Sequence, residues 1–144
     1  MSSELRRLPD GELEVMQALW DCEPPATRAD VEKAMGEKHP MAVTTLLTLL
    51  TRLGEKGFVK VEKLGRGNGY TPLVSRQDYL AVQSRRFVDK LCGGSISAFA
   101  AALCGSGLSK EELAQLRELL EKKLPELLAE LENQPKELET QDKR

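Results

Sequence analysis

Aromatic residues are scarce in this 144-residue chain, at 4% of the sequence. Trp20, Tyr70, Tyr79, Phe58, Phe87 and Phe99 are all it has, so a core built on large rings is excluded. Leucine fills the gap, and leucine suits packed helices. Histidine is scarcer still: His39 stands alone, directly before Pro40, and reads as a loop residue. A Ser–His or Cys–His nucleophile pair has no recognisable context around it. No His/Cys/carboxylate cluster shows metal-ligand spacing, so neither metal, cofactor nor enzymatic activity is expected. The three cysteines, Cys22, Cys92 and Cys104, are odd in number and far apart. They read as reduced thiols rather than a disulfide framework, and Cys92 and Cys104, which flank the Ala-rich segment, as buried structural thiols, with a redox role as the alternative. No apolar run approaches the ~20 residues of a membrane span. The opening Met1-Ser2-Ser3-Glu4-Leu5-Arg6-Arg7 lacks the apolar stretch of a secretion signal, which points to a cytoplasmic protein without membrane insertion. The glycines at Gly65, Gly67 and Gly69 lack the lysine and the strand–loop–helix setting of a phosphate loop.

What is present is charge, at 31% of residues, with a net value of −2. An acidic balance argues against a protein that coats nucleic acid indiscriminately. The charge is uneven, however. Arg52, Lys56, Lys60, Lys63 and Arg66 face only Glu55 and Glu62 within one stretch, whereas acids outnumber bases from Leu108 onward.

The apolar pattern predicts a helix starting near a capping Asp10, with Leu13, Met16, Leu19 and Trp20 inward, stopped by Pro24 and Pro25. Thr27 and Asp30 form a capping box for a short second helix that buries Val31, Ala34 and Met35. A third helix runs from about Met41 to Glu55 and ends at Gly57. Val43, Leu46, Leu47, Leu50 and Leu53 line its inner side, and Thr44, Thr45, Thr48 and Arg52 its outer side. Alternation from Val59 to Lys63, a glycine-rich turn over residues 65–69 and a return strand from Tyr70 predict a hairpin. Leu13, Met16, Trp20, Val43, Leu46, Leu50 and Phe58 are the core candidates.

Helix, short helix, helix, hairpin is the order of a winged helix-turn-helix. The third helix of that arrangement fits the major groove of duplex DNA, held at its angle by the other two. Threonine hydroxyls can meet bases or phosphates, and an arginine at the wing tip can reach the minor groove or backbone. The candidate DNA contacts are Met41, Ala42, Thr44, Thr45, Thr48, Arg52, Lys63 and Arg66.

Beyond residue 75 the pattern is helical. Ser75 and Asp78 start a helix carrying Tyr79, Leu80, Val82, Phe87, Val88 and Leu91, and Gly93-Gly94 breaks it. An Ala-rich segment follows, then a Ser109/Glu112 capping box and a leucine-lined helix that Pro125 should end, kink or restart. That helix has nothing local to bury against, so a second copy of the chain is its natural partner. Phe87, Leu91, Leu113, Leu116 and Leu120 are the candidate dimer contacts. The expected fold is mainly α with a small β-hairpin wing, as a winged helix-turn-helix (1–75), a helical dimerisation domain (76–132) and a flexible polar tail (133–144).

The stretches Asp10 to Trp20, Thr44 to Gly57, Gly65-Arg66 with Tyr70 to Val74, and Phe87 to Ser95 together resemble the penicillinase-repressor family of BlaI/MecI type. The resemblance runs from about Leu8 to Lys123. It implies a homodimeric transcriptional repressor on a palindromic double-stranded operator, in a cell-wall antibiotic response. It also implies a regulatory protease that cleaves within the C-terminal helices. Aligned without gaps from Gly93-Gly94, the scissile peptide falls at Ala102–Leu103, where those members carry Asn-Phe and this chain does not. The copper-responsive branch has a cysteine cluster that is missing after Cys104. Two other readings compete: a protein-interaction adaptor built on the same fold, favoured by the acidic balance, and a small-molecule sensor with a pocket among the C-terminal helices.

Overall fold

A computed structural model of the chain describes residues 5–37 and 40–134. His39 and the tail beyond residue 134 lie outside the described residues. The elements are α1 (Asp10–Trp20), α2 (Arg28–Met35), α3 (Val43–Glu55), β1 (Val59–Leu64), β2 (Gly67–Pro72), α4 (Arg76–Leu91), α5 (Ile96–Gly105) and α6 (Lys110–Glu132). The fold is mainly helical with one antiparallel hairpin. It divides into two compact units, the first ending at Leu91 and the second beginning at Cys92.

In the first unit, Asp10 is not the cap of α1 but its first residue. Pro9 holds the cap position in extended conformation and makes no side-chain bond, so Asp10 is already helical. Its carboxylate acts on the helix dipole instead. Val15, Met16 and Leu19 of α1, Val31 of α2, and Leu46, Leu50 and Leu53 of α3 are fully buried together. Each such side chain stabilises the unit by about 1.5–3 kcal/mol through removal from water. Leu13 and Trp20 pack on this core half-buried. The Thr27/Asp30 capping box forms as expected: the Asp30 N–H donates to Thr27 Oγ1 (3.1 Å) and the Thr27 N–H to Asp30 Oδ2 (3.0 Å). Val31 is buried and Met35 half-buried, but Ala34 is exposed. The α2 face is therefore narrower than its apolar spacing indicates.

The unit also reaches past the boundary expected at residue 75. Tyr79 of α4 is buried against Phe58 (centroids 6.0 Å apart, edge-on) and Trp20 (5.9 Å). Its hydroxyl accepts the Leu8 N–H at 2.8 Å, and Gln83 Nε2 donates to Leu5 O. Trp20 Nε1 donates to Val74 O at 2.8 Å, while Arg76 lies over the indole and pairs with Asp21. Tethered from several sides, the start of α4 belongs to the core of the winged unit.

The second unit holds α5 and α6. Ser95 caps α5 by accepting the Ala98 N–H, after Gly93 and Gly94 have taken the positive φ (60° and 81°) that breaks the preceding helix. Ser109 and Glu112 cap α6 reciprocally, as expected. Pro125 does not end α6, which runs helical through it to Glu132. A proline removes one N–H donor, and here the turns on either side hold the helix. Neither helix contains a buried residue. Cys104 is exposed and Cys92 half-buried, so these thiols are not buried as expected.

Candidate nucleic-acid interface

α3 carries the candidate base-reading face, and three features fix its placement. Leu46, Leu50 and Leu53 turn inward at helical spacing. At the other end, Gly57 (φ 83°) closes the helix in a Schellman turn: the Phe58 N–H donates to Leu53 O (2.9 Å) and the Gly57 N–H to Gly54 O (3.1 Å). Leu53 and Phe58, the two residues that bracket this motif, are both buried. Third, Lys56 Nζ meets Glu12 Oε1 of α1 at 2.5 Å, with the Glu12 side chain only 4% exposed. A carboxylate so deeply placed needs its cation, which pins the end of α3 to α1. Nothing in the sequence signals this pair, because its members are 44 residues apart.

Thr44, Thr45, Thr48 and Arg52 are exposed, as their position on the helix wheel predicts. Met41 is half-buried against the core, and Ala42 is the exposed N-cap residue without a side-chain bond. Two assignments are corrected. Val43 and Leu47, expected on the inner side, are 44% and 39% exposed. At ~100° per residue Leu47 lies at the margin of the Leu46/Leu50/Leu53 stripe, and Val43 precedes the first buried turn. Leu49 takes the inner margin in their stead. Thr51, not singled out by sequence, is exposed beside Arg52. The Thr48 and Thr51 hydroxyls donate to the carbonyls of Thr44 and Leu47, each at 2.9 Å.

The wing follows at once. β1 and β2 pair in register from Val59↔Pro72 to Leu64↔Gly67, so the turn is only Gly65-Arg66 rather than the five-residue loop expected. Gly65 takes φ 63° and Arg66 does not have positive φ, the pattern of a type II′ hairpin turn. Arg66 is thereby presented at the tip, with Lys63 and Lys60 exposed behind it along β1. The expected alternation of burial is not seen: in β1 only Val59 is buried, because the hairpin runs beyond the core that covers its base. That base is tied by Ala26, whose N–H and C=O exchange bonds with Tyr70 (2.9 and 2.8 Å). Gly69 permits the approach, since a Cβ there would come within 3.0 Å of Pro25 Cβ.

The candidate dimer contacts lie on α6 of the second unit and at the end of α4 in the first. Leu113 and Leu120 of α6 are 41% and 51% exposed, and Leu116 is half-buried. Phe87 and Leu91, near the end of α4, are 44% and 73% exposed. Ala102 and Leu103 lie inside α5, the first exposed and the second half-buried. Among the described residues no group of three or more His, Cys, Asp or Glu could hold a metal ion, and no single helix is long and apolar enough to cross a membrane.

A three-helix core that sets its third helix outward and follows it with a basic-tipped hairpin defines a DNA-binding winged helix-turn-helix. The chain belongs to the penicillinase repressor family, whose family model matches residues 8–122. It is 31% identical to the penicillinase repressor of Bacillus licheniformis over 119 residues, covering 82% of this chain and 92% of that protein. It is 27% identical to the methicillin resistance regulatory protein MecI of Staphylococcus aureus, covering 85% of this chain and all of MecI. Among solved structures, the DNA-binding domain of the repressor BlaI is 32% identical over 52% of this chain and 90% of that domain, with a TM-score of 0.45. The relatives are transcriptional repressors or regulators by name, and this chain is a transcriptional regulator of their family.

Proposed function

We propose that the protein is a homodimeric repressor that binds a palindromic operator, with α3 of each protomer in the major groove and Arg66 of each wing at the flanking backbone or minor groove. The observation that carries this reading is the outward threonine face of α3, leading directly into a wing with Lys60, Lys63 and Arg66 exposed. Arg52, at the far end of that face, is suited to phosphate contact. Dimerisation is supported by the leucines of α6. Leu113, Leu116, Leu120, Leu124, Leu127 and Leu131 recur every three or four residues on a helix without one buried residue. Covering them with a second copy yields a two-fold assembly, which matches two half-sites one helical turn apart.

The test is a footprint and titration on the DNA around the protein's own gene. The expected result is a two-fold symmetric protected site that takes up two protomers, with roughly 10³-fold or greater preference over scrambled duplex. Equal affinity for scrambled DNA would refute the reading and favour a protein-interaction adaptor.

Kinship with a penicillinase repressor extends the proposal to regulation in a cell-wall antibiotic response. Release by cleavage at Ala102–Leu103 has a structural condition. The peptide is helical, and cleavage of a folded helix proceeds through its opened form. A protease acting here must therefore capture α5 unwound.

A further inference from the structure

The chemistry of the α3 face narrows what it can read. From Met41 to Thr51 the sequence contains no Arg, Lys, Asn, Gln, Asp, Glu or His. The paired contacts that identify guanine (Arg or Lys) and adenine (Asn or Gln) are thus unavailable to the first two turns of α3. What those turns expose is Val43, Leu47 and the side chains of Thr44, Thr45 and Thr48, with Thr51 exposed in the next turn. The Thr48 and Thr51 hydroxyls use their protons on backbone carbonyls one turn back, which leaves a methyl and acceptor lone pairs for whatever meets the face. In the major groove the one apolar feature of a base pair is the 5-methyl group of thymine.

We infer that Val43 and Leu47 are specificity-determining residues that recognise thymine 5-methyl groups, so that this repressor reads its half-sites largely by apolar contact. The inference rests on the DNA-binding reading above and deepens it. The exposed valine and leucine are otherwise a liability on a water-facing helix. Thymine methyls are a complementary occupant, because no charged residue between Met41 and Thr51 interrupts this apolar strip, and the exposed cations Arg52, Lys63 and Arg66 come only after it in the chain.

The experiment uses duplexes enriched from a randomised pool by the full-length protein, then resynthesised with deoxyuridine in place of thymidine within the half-sites. Uracil keeps every hydrogen-bonding group and lacks only the methyl. Thymines should be enriched at fixed positions in each half-site, and each buried methyl removed should weaken binding about four-fold. The double variant Val43→Ala, Leu47→Ala should bind the thymine duplex more weakly and no longer distinguish it from the uracil duplex. Its melting temperature should stay close to wild type, because both side chains are exposed. Deoxyuridine outside the half-sites should have no effect. The inference is overturned, with the DNA-binding reading intact, if wild type binds both duplexes within two-fold or if the double variant retains the full preference. Failure of wild type to enrich any duplex overturns both together.

Discussion

In the first unit Leu46, Leu50 and Leu53 are fully buried, whereas in α6 Leu119, Leu124, Leu127 and Leu131 are about half exposed or more. The same residue at the same helical spacing meets opposite fates within one chain. The difference lies in what the neighbouring sequence supplies. α3 is followed by a hairpin and preceded by two helices that close over it. α6 brings a single capping box and i,i+4 pairs such as Arg117–Glu121 and Lys122–Glu118, which hold a helix together but do not cover its leucines. The first unit completes its own core, and the second leaves its leucines exposed, which is the basis of the dimer proposed above.

That contrast can be broken most severely at α6. Leu116→Asp with Leu120→Asp should weaken self-association by ~10³-fold or more, since four leucines of a dimer would lose burial at about 1.5–3 kcal/mol each. Sedimentation equilibrium measures this, and the Trp20 fluorescence of the winged unit should be unchanged. A wild-type chain that sediments as a monomer would refute the contrast itself.

Within the first unit, Lys56→Ala leaves the buried Glu12 carboxylate unpaired and should destabilise by about 3–5 kcal/mol in urea unfolding. Leu50→Ala should fall in a similar range, about 2–5 kcal/mol. Replacing either of two exposed residues, Thr45 or Arg66, with Ala should leave stability within about 0.5 kcal/mol. If Lys56→Ala proves equally mild, the ion pair does not anchor α3.

A smaller effect separates positioning from reading. Arg66→Ala with Arg52→Ala should reduce the magnitude of the salt-dependence slope of DNA binding by about 1 for each phosphate left without its cation. Thr45→Asp should weaken binding at all salt concentrations. An unchanged slope would remove both arginines from the interface.

The smallest effect concerns pH. The Thr27 backbone N–H, then the Thr27 hydroxyl bond, and Lys33 nearby hold the Asp30 carboxyl below its ordinary range. Because the folded carboxyl titrates lower than the unfolded one, its contribution is complete above the ordinary carboxylate range. It disappears as pH falls through the folded value. Asp30→Asn should therefore lower the melting temperature slightly at neutral pH and not at all in strong acid. Cys22 shifts the other way: burial first, then the charges of Asp30 and Asp21, push its thiol up. It should react with a thiol reagent at neutral pH more slowly than the exposed Cys104.

The elements themselves are legible because their signals are local. Thr27 with Asp30, Ser109 with Glu112, Gly57 after α3 and Gly93-Gly94 after α4 each act within a few residues, and each is found where the sequence indicates. The departures are of another kind. Hydrophobicity alone puts Val43 and Leu47 inside, yet they lie on the face that the proposed function needs. The turn at Gly65-Arg66 is shorter than its run of glycines indicates because register, not composition, sets hairpin length. Of the candidate interface, the threonines, Arg52, Lys63 and Arg66 are readable from periodicity and turn chemistry, and one further step around the wheel reaches Thr51.

By itself the sequence determined the kind and order of the elements and most of their capped ends, which face of α3 is polar, and that α6 is a leucine-lined helix, while it misplaced the start of β2 by three residues. Only the tertiary structure decided that Tyr79 belongs to the winged core, that Glu12 and Lys56 pair across 44 residues, and that Val43 and Leu47 remain in water. The reason is range. Capping and periodicity act over one or two turns and are written in consecutive residues. Burial depends on which distant surfaces arrive, and a chain records those only in the fold as a whole.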